Sequence, residues 1–326
     1  MKMTEMEFMF EDFMVYCFSK NLSEKTTRSY DQTLKLFFHY LKEVHDIDDP
    51  KEVRATHVRQ YAQYLQERGK YTVVSNPRSK AQNFPENRPD YKKSVSVATI
   101  NNYIRNIKVF FNWLEAEGEI RKNPVEKVSL IKSERRPKKG ITEEELLRVI
   151  GQFDYTTFHG YRNQIITLLL QDTGMRIGEC LLIEDKDIDF SHRAILLRNT
   201  KGKKERYVFF SETMRKKLKQ YLKYKDNHKE SEYLFPTNRG TLLSVTVYET
   251  QLREAGKRAG VKIHPHQIRN NFARQFLLNG GDIFTLSRIL GHTNIRITEE
   301  AYLDLTNEEL SEKYRKHSPL ANWRNI

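Results

Sequence analysis

The sequence predicts a mainly α-helical protein with a small antiparallel sheet, an α+β fold, divided into two domains. The length of 326 residues suggests two domains, at about 150 residues for each. Apolar residues recur at three-to-four spacing over most of the chain, which is typical of amphipathic helices. Two short apolar runs, 194–198 and 206–210, are joined by the basic turn TKGKKE and predict a β-hairpin in the second half.

The first predicted domain, residues 1–124, is a helical bundle. Apolar side chains at helical spacing predict helices over 5–20, 26–42, 53–65 and 100–114. The segment 70–97 interrupts this pattern, because it holds three of the nine prolines and shows no clear period. We predict a long loop there. Its six basic and two acidic side chains suit either a contact with a phosphate backbone or a solvated excursion.

A basic linker is predicted over 125–140. Its segment KSERRPKK contains five basic residues and Pro137, through which a helix cannot run. Such a segment is either a plain tether or an extended stretch that follows DNA. In the second case the contacts would come from Arg135, Arg136, Lys138 and Lys139.

The second predicted domain covers 141–326. Thr142 and Glu145 form a capping-box pattern at the start of its first helix. A buried helical segment is expected at 165–170, before the hairpin. Further helices are predicted over 211–225, 246–259 and 267–279, with short ones to about 316.

Composition narrows the classes of function. The chain has 56 Lys and Arg against 43 Asp and Glu, a net charge of +13, which indicates either a nucleic-acid partner or simply a basic soluble surface. The sequence contains no run of about 18 apolar residues, so no membrane span is predicted. The amino-terminal segment lacks the features of a signal peptide. Two cysteines in different halves do not make a disulfide framework, so we expect a cytoplasmic protein.

Four motifs in the second domain contain residues suited to chemistry on a phosphate. In DTGMRIGE, Gly174 is placed to end a helix and Arg176 to begin the next, where backbone N–H groups and a guanidinium favour an anion. Glu179 either orients Arg176 or forms a surface salt bridge with it. The hairpin turn and the strand after it carry four cations that can reach DNA: Lys201, Lys203, Lys204 and Arg206.

The other two motifs lie nearer the carboxyl end. In HPHQIRN, His266 and Arg269 are three residues apart and share a helix face, while no acid or cysteine lies at the spacing of a zinc site. In LGH, His292 precedes Tyr302 by ten residues. Two arginines suit a pentavalent phosphoryl transition state, because bidentate guanidinium groups neutralise its equatorial oxygens.

Together these motifs resemble the tyrosine recombinases of the phage integrase family. TGMRIGE resembles the first arginine box, TKGKKER the β-hairpin lysine, HPHQIRN the His-x-x-Arg box, and LGH with a spaced tyrosine the closing motif. The resemblance implies a helical core-binding domain followed by a tyrosine-recombinase catalytic domain. Two departures are Asn270, where the family usually has histidine, and a spacing between His292 and Tyr302 that is one residue longer than in many members.

The resemblance also implies a mechanism. Tyr302 would attack the scissile phosphate of duplex DNA, Arg176 and Arg269 would hold its non-bridging oxygens, and Lys201 would protonate the leaving 5′ oxygen. His266 would accept the tyrosine proton, and His292 would donate a hydrogen bond to the phosphate. Neither a metal nor another cofactor is implied, because the covalent link conserves the bond energy.

The family's assemblies imply a homotetramer on two duplexes. The carboxyl-terminal tail would either dock on a neighbouring subunit or pack on its own domain. The long loop and Asn270 favour an integrase or transposase of a mobile element. The alternatives are a Xer-like resolvase of chromosome dimers, a type IB topoisomerase, and a DNA-binding protein that no longer cuts.

Overall fold

The computed structural model describes residues 3–74, 81–132, 140–198, 205–228, 230–292, 294, 298–299 and 307–318. The chain divides into two compact units, residues 1–135 and 136–326. Within the described ranges, no helix combines the length and the apolar character needed to cross a membrane. The observed elements are mainly helices together with one small antiparallel sheet, so the predicted α+β class is confirmed.

Four long helices build the first unit, and each overlaps a segment predicted as helical. Each helix begins after an N-cap residue with an extended backbone. At the first helix, for example, the hydroxyl of Thr4 accepts a hydrogen bond from the backbone N–H of Glu7. The helices are α1 (Glu5–Ser19), α2 (Glu24–His45), α3 (Ala55–Arg68) and α4 (Val97–Ala116).

The aromatic stripes of these helices form the core of the first unit, as the sequence indicated. Large rings lie almost fully inside it; Phe13 and Phe110 meet edge to face at 5.4 Å between ring centroids, and Phe110 and Trp113 are stacked. Asn106 of α4 adds a polar link, because its amide donates to the carbonyl oxygen of Ser29 and to the hydroxyl of Thr33 in α2.

The described part of the predicted loop over 70–97 contains a short helical stretch at 81–83 and a 3-10 turn at Pro85–Asn87, and its last residue already belongs to α4. Its two ends are joined by backbone hydrogen bonds from Lys70 to Lys93 and from Lys92 to Lys70. Gly69 precedes this junction with φ of +76°, and a Cβ there would lie 2.5 Å from the carbonyl oxygen of Lys92. A glycine is therefore needed where the loop leaves α3.

The second unit surrounds α6 (Phe158–Thr173), a helix with a buried apolar surface. The capping box of Thr142 and Glu145 is observed at the start of the preceding helix. The remaining helices of this unit are α5 (Glu143–Ile150), α7 (Ile177–Cys180), α8 (Glu212–Asp226), α9 (Val245–Arg258), α10 (Pro265–Leu278), α11 (Ile283–Leu290) and α12 (Asn307–His317).

The sheet has three strands in the order β1 (Ile188–Asp189), β2 (Ala194–Leu197), β3 (Arg206–Phe209), and both pairings are antiparallel. The hairpin β2–β3 was predicted, whereas β1 was not. In the register Leu197 pairs with Arg206, beside the turn that lies outside the described residues. Helix α6 packs against α8, α9 and α10, which brings its carboxyl end next to α10.

Candidate active site

The first motif is positioned by the end of α6. Gly174 terminates this helix with φ of +64°, and a Cβ on it would lie 2.2 Å from the ring of Phe272 in α10. Both the backbone conformation and the close approach of α10 therefore require glycine. Arg176 follows as the N-cap residue of α7, at the helix start that the sequence predicted.

Glu179 connects this motif to the hairpin. One carboxylate oxygen accepts from Nη1 of Arg176 at 2.9 Å and the other from the backbone N–H of Arg176 at 2.9 Å. Arg206 donates to the same two oxygens, at 3.0 and 2.7 Å. The Glu179 side chain is only 4% exposed. Its salt bridge with Arg176 is therefore not a surface interaction, and that alternative is wrong. Burial raises the pKa of Glu179, but hydrogen bonds from Arg206 and Arg176 outweigh it and lower the pKa below its ordinary value.

Arg206, which the sequence suggested as a DNA contact, directs its hydrogen bonds into the protein. Besides Glu179, it contacts the carbonyl oxygen of Ile289 through Nε at 3.3 Å, and its side chain is 14% exposed. Strand β3 alternates, so that Arg206 and the buried Val208 face inward while Tyr207 lies outward. The sequence contains no signal of this parity, because the outward positions, Tyr207 and Phe209, are both apolar. A contact between Arg206 and DNA stays a prediction.

Arg269 occupies the centre of the site on α10 and is only 4% exposed. Its Nη1 donates to the carbonyl oxygen of Gly174 and its Nη2 to that of Leu290, each at 2.8 Å. These oxygens belong to the carboxyl ends of α6 and α11, where the helix dipole favours a cation. Burial, and next the charge of Arg176, lower the pKa of Arg269 to about 9, so the group stays charged at pH 7.

His292 lies directly against Arg269. Its Nε2 is 2.9 Å from Nη2 of Arg269, and its Nδ1 is 2.8 Å from the hydroxyl oxygen of Thr298. Because a guanidinium only donates, Nε2 is the acceptor and the ring carries its proton on Nδ1. Burial, then Arg269, then Arg176 lower the pKa of His292 to about 4. Thr298, which is buried, was not anticipated from the sequence.

The two histidines of HPHQIRN have different positions. His264 is the N-cap residue of α10, and its Nδ1 accepts from the backbone N–H of Gln267 at 3.1 Å. His266 lies in the first turn and is exposed. After burial and the three arginines, its charge makes the smallest contribution to the lowered pKa of His292. Among the described residues, no three His, Cys, Asp or Glu side chains are grouped as a metal site.

The described cluster has an excess of positive charge. Arg176, Arg206 and Arg269 carry three positive charges, Glu179 supplies one negative charge through its contacts with Arg176 and Arg206, and His292 is neutral. Two positive charges are therefore uncompensated within this set. Arg176 is 34% exposed, so the cluster can be reached from solvent. Fixed cations in a partly buried site bind a phosphate anion strongly and stabilise charge that develops on it.

Several predicted residues lie outside the described ranges, and their roles stay predictions. They include the proposed nucleophile Tyr302 and the hairpin cation Lys201. The predicted DNA contacts of the hairpin turn and the linker also lie outside the described ranges: Lys203, Lys204, Arg135, Arg136, Lys138 and Lys139.

Two known protein families match parts of this chain. Residues 139–309 match the phage integrase family, and residues 10–84 match the phage integrase N-terminal SAM-like domain. The chain belongs to the phage integrase family. This family membership identifies it as a tyrosine recombinase and confirms the resemblance that its motifs showed.

Curated relatives support the same assignment. The tyrosine recombinase XerC of Oceanobacillus iheyensis is 32% identical over 71% of this chain and 78% of the relative. XerC of Listeria innocua is 30% identical over 95% of this chain and 97% of the relative. XerA of Pyrococcus horikoshii is 32% identical over 69% and 75%.

Solved structures share the fold at lower identity. The integrase of transposon Tn1549, in complex with transposon right end DNA, has a TM-score of 0.70 at 20% identity, over 97% of this chain and all of that one. A lambda integrase dimer bound to a COC' core site has a TM-score of 0.68 at 15% identity, over 98% and 97%. These likenesses establish the tyrosine-recombinase fold.

Proposed function

We propose that the protein cuts and rejoins duplex DNA at specific sites through a 3′-phosphotyrosyl intermediate. The observation that carries this proposal is the group of Arg176, Arg269 and His292, held together with an excess of positive charge. Such a group suits a phosphodiester whose charge increases in the transition state.

Each step conserves atoms and charge. The phenol oxygen of Tyr302 forms a bond to phosphorus as the bond to the 5′ oxygen breaks. His266 accepts the phenol proton, and Lys201 supplies a proton to the leaving oxygen. A 5′ hydroxyl of the partner strand then attacks the phosphotyrosine and returns a proton to Lys201, while the leaving phenolate of Tyr302 recovers its proton from His266. Because each transfer exchanges one phosphodiester bond for another, the reaction needs no external energy source.

Two arginines have different tasks in this proposal. Arg269 is fixed by two carbonyl oxygens and presents its charge to the phosphate from a nearly buried position. Arg176 is more exposed and contacts the phosphate from the solvent side. The incoming negative charge raises the pKa of His292, and the ring gains a proton at Nε2. A protonated Nε2 cannot accept from Arg269, so it leaves Nη2 of Arg269 and donates to the phosphate instead.

The partner of this chemistry is duplex DNA, and the active assembly is a homotetramer on two duplexes. In that assembly α12 and the tail after it dock on a neighbouring subunit. Most contacts would be made to phosphates, so binding should weaken steeply with salt.

Two biological processes fit the same chemistry. The long loop over 70–97 and Asn270 favour the integrase or transposase of a mobile element. The names of the relatives, XerC and XerA, favour a Xer-like resolvase of chromosome dimers. The position of the recombination site separates the two: element ends beside the gene indicate mobility, and a single chromosomal site far from the gene indicates dimer resolution.

Covalent capture tests the proposed chemistry. The protein is mixed with a pool of nicked duplexes that have a randomised core, and DNA that remains attached under denaturing conditions is recovered and sequenced. We expect capture by the wild type and none by Tyr302→Phe, which should still bind the captured duplex. Tyr314→Phe is a matched control, because Tyr314 is an exposed tyrosine of α12, and it should capture DNA normally. Capture by Tyr302→Phe would remove Tyr302 from its role.

A further inference from the structure

We infer that Arg206 is a positioning residue for the cleavage step, which holds Glu179 and through it Arg176, and that it is not a DNA contact. This inference rests on the proposed function and assigns Arg206 a role within it. The hydrogen bonds of its guanidinium provide the argument. Nη1 and Nη2 form a bidentate pair with Glu179, and Nε reaches the carbonyl oxygen of Ile289.

The fold leaves little freedom to this side chain. Gly291 has φ of +64°, and a Cβ on it would lie 2.8 Å from Nε of Arg206 and 2.9 Å from its Cδ and Cζ. The backbone of the LGH motif therefore lies directly against the side chain of Arg206. Only glycine at position 291 permits both this contact and the turn that leads to His292.

Arg206 thereby joins three parts of the site. It lies at the start of β3, next to the turn that carries Lys201 in the sequence. It contacts Glu179 in α7, which in turn holds both the backbone and the guanidinium of Arg176. It also contacts the last turn of α11, whose Leu290 carbonyl oxygen accepts from Arg269.

The burial of Glu179 explains why its bidentate pair with Arg206 is needed to position Arg176. A buried carboxylate must have its acceptor positions filled, and Arg206 supplies two of the four observed hydrogen bonds. Without them, Glu179 would have Arg176 alone as hydrogen-bond partner. Arg176 would then be held by a carboxylate that is itself no longer fixed, so its guanidinium would lose the orientation that an incoming phosphate requires.

The same contacts predict a pH signature. The groups that face Glu179 are Arg176 on its own helix, Arg206 on β3, Arg269 on α10 and the buried thiol of Cys180. Removal of Arg206 leaves the burial of Glu179 in place and takes away a cation. The pKa of Glu179 then rises, and its protonation on acidification releases Arg176.

The test uses the duplex obtained by covalent capture and compares Arg206→Met with Arg206→Lys. Arg215→Met is the matched control, because Arg215 also donates to a glutamate, Glu212 at 2.7 Å, but on the surface. We measure the affinity for DNA at several salt concentrations, the rate of adduct formation at saturating DNA, and the melting temperature.

We expect Arg206→Met to bind DNA with unchanged affinity and salt dependence, while adduct formation slows by about 10- to 100-fold. Arg206→Lys should be intermediate, since it retains the charge without the fork. The rate of Arg206→Met relative to wild type should fall further from pH 7.5 to 5.5. In the double variant Arg206→Met/Glu179→Gln that pH dependence should disappear. A purely structural role would lower the melting temperature without this pH dependence.

Two results would overturn the inference. A DNA contact would give the opposite pattern, with weaker binding, a salt slope reduced by about one and a normal rate at saturation. A rate equal to that of wild type and Arg215→Met would also refute it while the proposed function stands. If the wild type captures no DNA, the proposed function fails, and this inference fails with it.

Discussion

Nη2 of Arg269 donates a hydrogen bond to Nε2 of His292 over 2.9 Å, and this contact fixes the state of the ring. The proton of the neutral imidazole lies on Nδ1, which faces the hydroxyl of Thr298. The motif that contains His292 is therefore attached to α10 on one side and to residue 298 on the other. This arrangement has consequences that can be measured without DNA.

The stability of the protein should depend on pH through His292. The unfolded chain takes up this proton near pH 6.5, whereas the folded protein does so only near pH 4. The unfolded state binds more protons between these values, so the free energy of unfolding falls as pH falls from about 6.5 to 4. Above pH 6.5 the full contribution is present.

Urea unfolding at pH 7 and pH 5 checks this prediction. The loss of stability between the two should be smaller in His292→Gln, whose amide oxygen can still accept from Arg269 but which does not titrate. Equal losses in the variant and the wild type would show that His292 is not the group responsible.

Arg269 should matter for both folding and reaction. Arg269→Met removes the donor that satisfies the carbonyl oxygens of Gly174 and Leu290, and each unpaired buried acceptor costs about 1–3 kcal/mol. Arg269→Lys keeps the charge and should lose less stability. Adduct formation should fall by about 10²- to 10³-fold in Arg269→Lys, because the fork is absent. Thermal unfolding and single-turnover adduct formation measure the two effects, and an unchanged melting temperature in Arg269→Met would contradict the first.

Gly174→Ala should destabilise the second unit more than the same change at another left-handed glycine. Gly260 also has positive φ, of +69°, but a Cβ there meets nothing within 4 Å. Gly260→Ala should therefore cost only the conformational penalty, about 1–2 kcal/mol. Gly174→Ala adds the clash with the ring of Phe272, and Phe272→Leu in the same chain should recover part of it. Equal losses at the two glycines would mean that α10 moves aside without cost.

In the first unit, Asn106 should contribute through its buried hydrogen bonds to α2. Asn106→Ala should lower the free energy of unfolding by about 1–3 kcal/mol, since it leaves the buried hydroxyl of Thr33 without this donor. The double variant with Thr33→Val should lose less than the sum of the single changes. Fluorescence of Trp113, which is buried in this unit, follows the transition. Strict additivity would show that the two side chains are not coupled.

Local signals in the sequence were sufficient for the helices, the hairpin and the end of α6. The capping box at Thr142 and the glycine at 174 act within a few residues, so their effect can be predicted from neighbouring positions. Strand β1 has only two residues, which are too few to show a period.

The contacts within the site were harder to predict, because they depend on packing between distant segments. The burial of Glu179 requires β3 and the end of α11 to meet α7, and no local pattern reports that. Thr298 contacts His292 from six residues further along the chain, and no local pattern in the sequence predicts this contact. Arg206 was assigned by its basic neighbours, and its inward direction could not be predicted because the exposed alternate positions, Tyr207 and Phe209, are apolar.

Arg206 and Arg269 differ in the hydrogen-bond acceptors that hold them. Carbonyl oxygens are neutral dipoles, so Arg269 is immobilised while its whole formal charge remains available to an outside anion. Arg206 is immobilised by a carboxylate, which cancels its charge at long range. A count of basic residues therefore overstates the attraction of this domain for a polyanion. Arginines bound to carbonyl oxygens should be counted at full charge, and arginines paired with a carboxylate should not.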